Sequence, residues 1–253
     1  LWLGSEEACL GQIQKMTEVV AAQGMFGGEH HWILTNLYRV MNKLDLCRQA
    51  NEAWYASVSK VVPQQASKSM RAAHGYFSGL IDVRERNIPS AKARLAEIRA
   101  LIAGMALDLD RGMAQRCGDA LEGEILFQEK EYDRAVALFE KTVPPSSAIL
   151  SNTADVIDTN LFPRDLKARA LEAKGDRDGA IAEYERLTSL NLKGADRRLI
   201  DPQHHYRLAK LYDSKGMKGK AVERYRKFLD LWKDADPGRP EVEDARKRLA
   251  ALT

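Results

Sequence analysis

Apolar residues recur three and four positions apart along most of this chain, in runs broken by glycine, proline and short polar clusters. Near the carboxyl end, Leu208, Ala209 and Tyr212 are followed by Gly216 and then by Ala221, Tyr225 and Phe228. That spacing predicts two amphipathic helices meeting across a tight turn. Ala168, Leu171, Gly175, Ala180, Tyr184 and Leu187 repeat the arrangement 41 residues earlier. Lys215-Gly216-Met217 and Lys174-Gly175-Asp176 put glycine where the end of the first helix needs a left-handed residue.

The unit recurs toward the amino end. An alanine followed four positions later by an aromatic or large apolar residue occurs at Ala221/Tyr225, Ala180/Tyr184, Ala135/Phe139, Ala91/Leu95 and Ala50/Trp54, with spacings of 41, 45, 44 and 41 residues. On the preceding helix a small residue leads a second residue by three positions, at Ala209/Tyr212, Ala168/Leu171, Gly123/Leu126 and Gly79/Asp82. Where two helices cross closely, only alanine or glycine lets the backbones approach, and the large neighbour fills the gap beside them. A lone hairpin cannot bury its apolar face, so such an array is held by stacking. The pattern has departures: Glu122 stands where leucine is expected, Asp82 takes an aromatic position and Tyr38 sits where a small residue belongs. Leu37, Met41, Ala50 and Trp54 still support a hairpin there.

Val62-Pro63 and the stretch from Val143 through Pro144 and Pro145 to Phe162-Pro163 read as connecting loops, the second with a short helix expected around 149–158. Both ends read as caps. Ser5, Glu6 and Glu7 start a helix with Cys9, Ile13, Met16 and Val20 on one face and Gly24 at its end. After Asp236-Pro237-Gly238, the residues Val242, Ala245, Leu249 and Leu252 line one side of a charged closing helix.

Leu208, Ala209, Tyr212, Gly216, Ala221, Tyr225 and Phe228, with their counterparts from Ala168 to Leu187, resemble the tetratricopeptide repeat (TPR) consensus. The resemblance implies an all-α fold, a right-handed superhelical α-solenoid of about five TPR-like hairpins with terminal capping helices. It treats residues 1–253 as one array: an amino-terminal helix and loop at 1–29, degenerate and regular hairpins at 30–201, a closing repeat at 202–236 and a capping helix at 240–253. TPR units repeat at about 34 residues, so the longer period here implies lengthened helices or loops. The stretch from His205 through Trp232 and Pro237 to Leu252 is similar to the tail of TPR regions in bacterial regulatory proteins, some attached to serine/threonine kinase domains.

Composition narrows the function. The 253 residues are 45% hydrophobic and 30% charged, the mixture of a folded chain rather than a disordered one. Basic and acidic residues, 39 and 36, are interspersed along the whole length, so no single-sign field points to nucleic acid. Cys9, Cys47 and Cys117 stand far apart without a CxxC pair, which argues for a reducing, cytoplasmic setting and against a zinc site. No apolar run is long enough to span a bilayer, and no charged-then-apolar leader is expected ahead of Leu1. The missing initiator methionine fits a part excised from a longer protein.

Candidate chemistry is sparse. His30-His31 and His204-His205 are adjacent pairs, which on a helix diverge by about 100° and do not share an ion as an i, i+4 pair does. Gly27-Gly28 lacks the Lys-Ser/Thr of a phosphate loop, and no serine or cysteine sits in a nucleophile elbow. The basic residues between Lys193 and Arg198 read as a solvated loop. No metal, cofactor or catalytic residue is expected.

In TPR arrays the first helix of each hairpin lines a concave groove. Transferred to this chain, the register places Arg39, Tyr76, Leu80, Glu124, Phe127, Arg169, Tyr206 and Lys210 there as partner-binding residues. The bland alternative has the set from Tyr76 to Phe127 packing between hairpins. The Lys-Asn-Asn-Lys-Arg carboxylate clamp of some TPR proteins is not reproduced, since the matching positions include Ala120, Glu124, Phe162, Leu166, Gln203 and Tyr206. The expectation is a non-catalytic scaffold for a protein or peptide within a larger bacterial signalling protein. The competing reading is a receptor or enzyme using the groove as a small-molecule pocket, which needs a closed cavity with convergent polar groups.

Overall fold

The computed structural model describes residues 5–22, 29–60, 67–142, 165–189 and 201–253. All regular structure among them is α-helical, in twelve helices. The expected helix at 149–158, the glycines at 24, 27 and 28 and the basic stretch 193–198 lie outside the described residues.

The chain divides into two compact units, Leu10–Val143 and Leu1–Cys9 with Pro144–Thr253. The expected loops at Val62-Pro63 and from Val143 to Pro163 lie outside the described residues. Helix α1 is Glu6–Ala22. The first unit then contains α2 (Glu29–Val40), α3 (Leu44–Val58), α4 (Ser67–Arg84), α5 (Ile88–Ala103), α6 (Asp108–Gln128) and α7 (Tyr132–Thr142). Consecutive pairs form hairpins, α2 with α3, α4 with α5 and α6 with α7, and α4 also packs against α3 and α6. The second unit contains α8 (Leu166–Ala173), α9 (Arg177–Thr188), α10 (Pro202–Ser214), α11 (Lys218–Leu231) and α12 (Pro240–Leu252). Here α8 pairs with α9, α10 with α11, α9 packs on α10 and α12 closes against α11.

The same turn joins the two helices of all five hairpins. A residue with positive φ follows the first helix each time: Asn42 (57°), Arg86 (61°), Lys130 (64°), Gly175 (93°) and Gly216 (71°). The next residue's N–H then donates back to a carbonyl five positions earlier, Lys43 to Tyr38, Asn87 to Asp82, Glu131 to Leu126, Asp176 to Leu171 and Met217 to Tyr212. These bonds satisfy carbonyls that a helix end leaves open. The starts are also built locally. Asn87 caps α5 through Ser90 N, Asp176 caps α9 through Gly179 N, and Asp201 caps α10 through Gln203 N with Pro202 opening the helix.

The alanines found by their spacing, Ala50, Ala91, Ala135, Ala180 and Ala221, are all buried. Trp54, Tyr184 and Tyr225 beside three of them are buried as well. The large residue after Ala91 is different from the one expected. Leu95 is half-buried, and Ile98 takes the interior place because Gly75 on α4 leaves a recess that the Ile98 side chain fills. Asp82, out of place at an aromatic position, is buried and accepts from Ser90 Oγ at 2.8 Å and Arg94 Nε at 2.9 Å. A charged residue is tolerated inside because the next helix supplies its donors.

Candidate partner-binding site

The eight expected contact residues fall in both units, and their surroundings differ. In the first unit, α4 is enclosed by α3, α5 and α6. Every residue from Ala72 to Val83 except His74 is consequently buried. Tyr76 is 1% exposed and Leu80 6%, so they belong to the packing between helices. That corrects the expectation that they anchor a bound peptide. Glu124 on α6 is also buried at 6%, which removes it from an open surface. The Phe127 ring is half-buried and stands 5.6 Å from the Tyr132 ring across the α6–α7 turn. Arg39, in the last turn of α2, is half-buried.

In the second unit, Arg169, Tyr206 and Lys210 sit in a polar network that ties α8, α10 and α12 together. Asp165 precedes α8 and its carboxylate accepts from Arg169 Nε at 3.2 Å, one helical turn on, and from Arg207 Nη1 of α10 at 2.5 Å. The Tyr184 hydroxyl of α9 lies 3.5 Å from the same carboxylate. Burial pushes the Asp165 carboxyl up, but Arg169, Arg207 and His204 together outweigh it and hold the carboxyl at about 2. Burial, reinforced by Asp165, pushes the Tyr184 phenol up, so the hydroxyl keeps its proton and can donate.

The second half of the network starts at Tyr206. Its hydroxyl donates to Asp244 Oδ2 of α12 at 2.7 Å, and the ring lies 5.3 Å from Phe228 and 6.4 Å from Tyr225. Lys210 Nζ stands 5.4 Å from the centre of the Tyr206 ring, a cation–π distance. Arg248 bridges back from α12, with Nε on Asp244 at 2.8 Å and Nη1 on Asp213 of α10 at 3.0 Å. Its pKa rises chiefly through the hydrogen bond to Asp244. The long side chains of Arg169 and Tyr206 are thereby held in place while remaining partly accessible, and Lys210 is exposed.

Arg207, Asp244 and Arg248 are members of this network that the repeat register did not single out. Their signal lies in spacing: polar partners from neighbouring hairpins stand 35 to 42 positions apart, as in Asp213–Arg248, Arg48–Glu85, Lys92–Glu129, Tyr206–Asp244 and Asp165–Arg207.

The His204-His205 pair is explained by packing. His204 and His205 are buried on α10, and His205 Nδ1 lies 3.5 Å from Arg224 Nη1 of α11. Burial, then Arg224, Lys227 and His204, pull the His205 pKa down to about 4. Among the described residues, no group of three or more His, Cys, Asp or Glu side chains is arranged to hold a metal ion. Among them, too, no helix is long and apolar enough to cross a membrane. No protein-family model matches the chain, and no curated protein or solved structure matches it.

Proposed function

We propose that this chain is a non-catalytic scaffold whose TPR-like hairpins stack as an α-solenoid and dock a protein or peptide. In this reading it belongs to a larger bacterial signalling protein and works in the cytoplasm. The supporting observation is the network of α8, α10 and α12, which keeps Arg169, Tyr206 and Lys210 ordered before any partner arrives. Side chains already held in one arrangement lose less conformational entropy on binding, so the same contacts yield more affinity. Tyrosine and arginine are also the residue types that carry most binding energy in protein interfaces.

The proposed docking surface is the first-helix face of the second unit, since α4 presents no open face in the first. The test compares charge reversals on first helices, α8 and α10, with one on a second helix, α11, in the full chain. Lys210→Glu and Arg169→Glu are expected to weaken partner binding at least about tenfold, mostly through the association rate, while Arg226→Glu on the exposed side of α11 leaves it unchanged. Equal effects from the two helices would contradict the reading.

A further inference from the structure

The amino end of α1 is fastened by a residue from the far end of the chain. Asp236 lies in the loop between α11 and α12, and its Oδ2 accepts the Glu6 backbone N–H at 2.8 Å. Both residues belong to the second unit, which includes Leu1–Cys9. A helix leaves its first N–H groups without internal partners, and the residue before the helix commonly supplies a side-chain oxygen for one of them. In α1 that residue is Ser5, whose Oγ accepts from Ala8 N at 3.4 Å. Asp236 supplies the shorter bond from outside, and a carboxylate there suits the positive end of the helix dipole. Arg239 Nη2 donates to the same Oδ2 at 3.3 Å and steadies it. The Glu6 N–H is the main reason the Asp236 carboxyl stays below its usual pKa, with Arg239 and Ser5 adding to it against burial.

Little else holds α1. Among the described residues it forms no extensive contact with another helix. Its expected inner face, Cys9, Ile13 and Met16, is only half-buried, and Val19 is 55% exposed. The closing helix α12 differs in this respect, because its Val242 and Ala245 are buried. Gly11, Ile13, Thr17 and Val19 are weak helix formers. A 17-residue segment of that composition is marginal as an isolated helix, so its order depends on what fixes its ends and its face.

We propose that α1 is a detachable strap, clasped at its first turn by Asp236 and able to open while the other helices stay folded. Opening breaks one polar clasp and a set of half-buried contacts, which places it at the low-energy end of the openings a folded chain undergoes. The opened segment carries Cys9, Ile13 and Met16 on one side of an otherwise polar sequence, so release of the clasp frees an amphipathic stripe. The strap goes beyond the docking surface on α8 and α10 and does not depend on it, since its opening is measured on the chain alone.

The experiment is amide hydrogen exchange on the full chain, read by mass spectrometry in the parent and in variants. Asp236→Ala is expected to speed exchange across α1 about fivefold or more and to leave α4 and α10 unchanged. Asp236→Asn keeps an acceptor oxygen and is expected to restore most of the protection. Asp234→Ala, at an exposed position two residues earlier, is expected to exchange as the parent does. Glu6→Pro removes the donor from the other side at a helix position that tolerates proline, and in that background Asp236→Ala is expected to add little. The proposal is overturned if α1 exchanges in Asp236→Ala as it does in the parent, if exchange rises across the whole chain rather than in α1, or if Asp236→Ala keeps its full effect in the Glu6→Pro background.

Discussion

Gly79 on α4 approaches Leu121 on α6 so closely that a Cβ at position 79 would stand 2.5 Å from Leu121 Cδ2. Leu121 is fully buried. Gly79→Ala is therefore expected to lower stability by about 1–3 kcal/mol through overpacking, although alanine is the better helix former. Gly219 on α11 is the control, because a Cβ there meets nothing within 4 Å. Gly219→Ala is expected to raise stability by about 0.5–1 kcal/mol. Denaturant melts of both variants check the pair, and a stabilised Gly79→Ala would mean that α4 and α6 are not in contact there.

The five hairpin turns make an independent prediction. Arg86 and Lys130 adopt the left-handed conformation without being glycine. Lys130→Gly relieves that strain and is expected to stabilise the chain by up to about 1 kcal/mol, whereas Gly175→Ala is expected to cost about as much. Thermal midpoints moving in opposite directions check the turn geometry.

The Asp165 carboxyl gives a pH signature with a definite sign. Its folded pKa of about 2 lies below the ordinary 3.8, so its contribution to stability is complete above about pH 4 and is lost as pH falls toward 2. Asp165→Asn is expected to cost about 2 kcal/mol at neutral pH and to flatten the curve below pH 4. His205 acts in a higher window. Its pKa is lowered from 6.5 to about 4, so its contribution is complete above about 6.5 and is lost as pH falls toward 4. Urea midpoints recorded from pH 7 to pH 2 on Asp165→Asn and His205→Gln separate the two windows.

The legibility of the chain follows the same physics. Ala50, Ala91, Ala135, Ala180 and Ala221 were readable because close helix crossings demand a small residue, and all five are buried. Gly175 and Gly216 marked their turns for a similar reason, whereas Asn42, Arg86 and Lys130 make the same turn with residues that carry no such mark. Tyr76 and Leu80 were misplaced because a register transferred from one helix to another assumes an open side, and α4 has neighbours on three. In the second unit, Arg169 could be read with Asp165 as an i, i+4 pair. Arg207 reaches the same carboxylate from 42 positions away, a contact set by how α8 and α10 pack.

Site-specific photocrosslinking tests the docking account most directly. A photoreactive residue is placed at position 206 or 210 on α10, or at position 226 on the exposed side of α11, in the otherwise intact chain expressed in a bacterial cytoplasm. The account predicts a discrete crosslinked partner from positions 206 and 210, lost in the Arg169→Glu background, and none from position 226. Crosslinks from position 226 alone, or from neither helix, would contradict it.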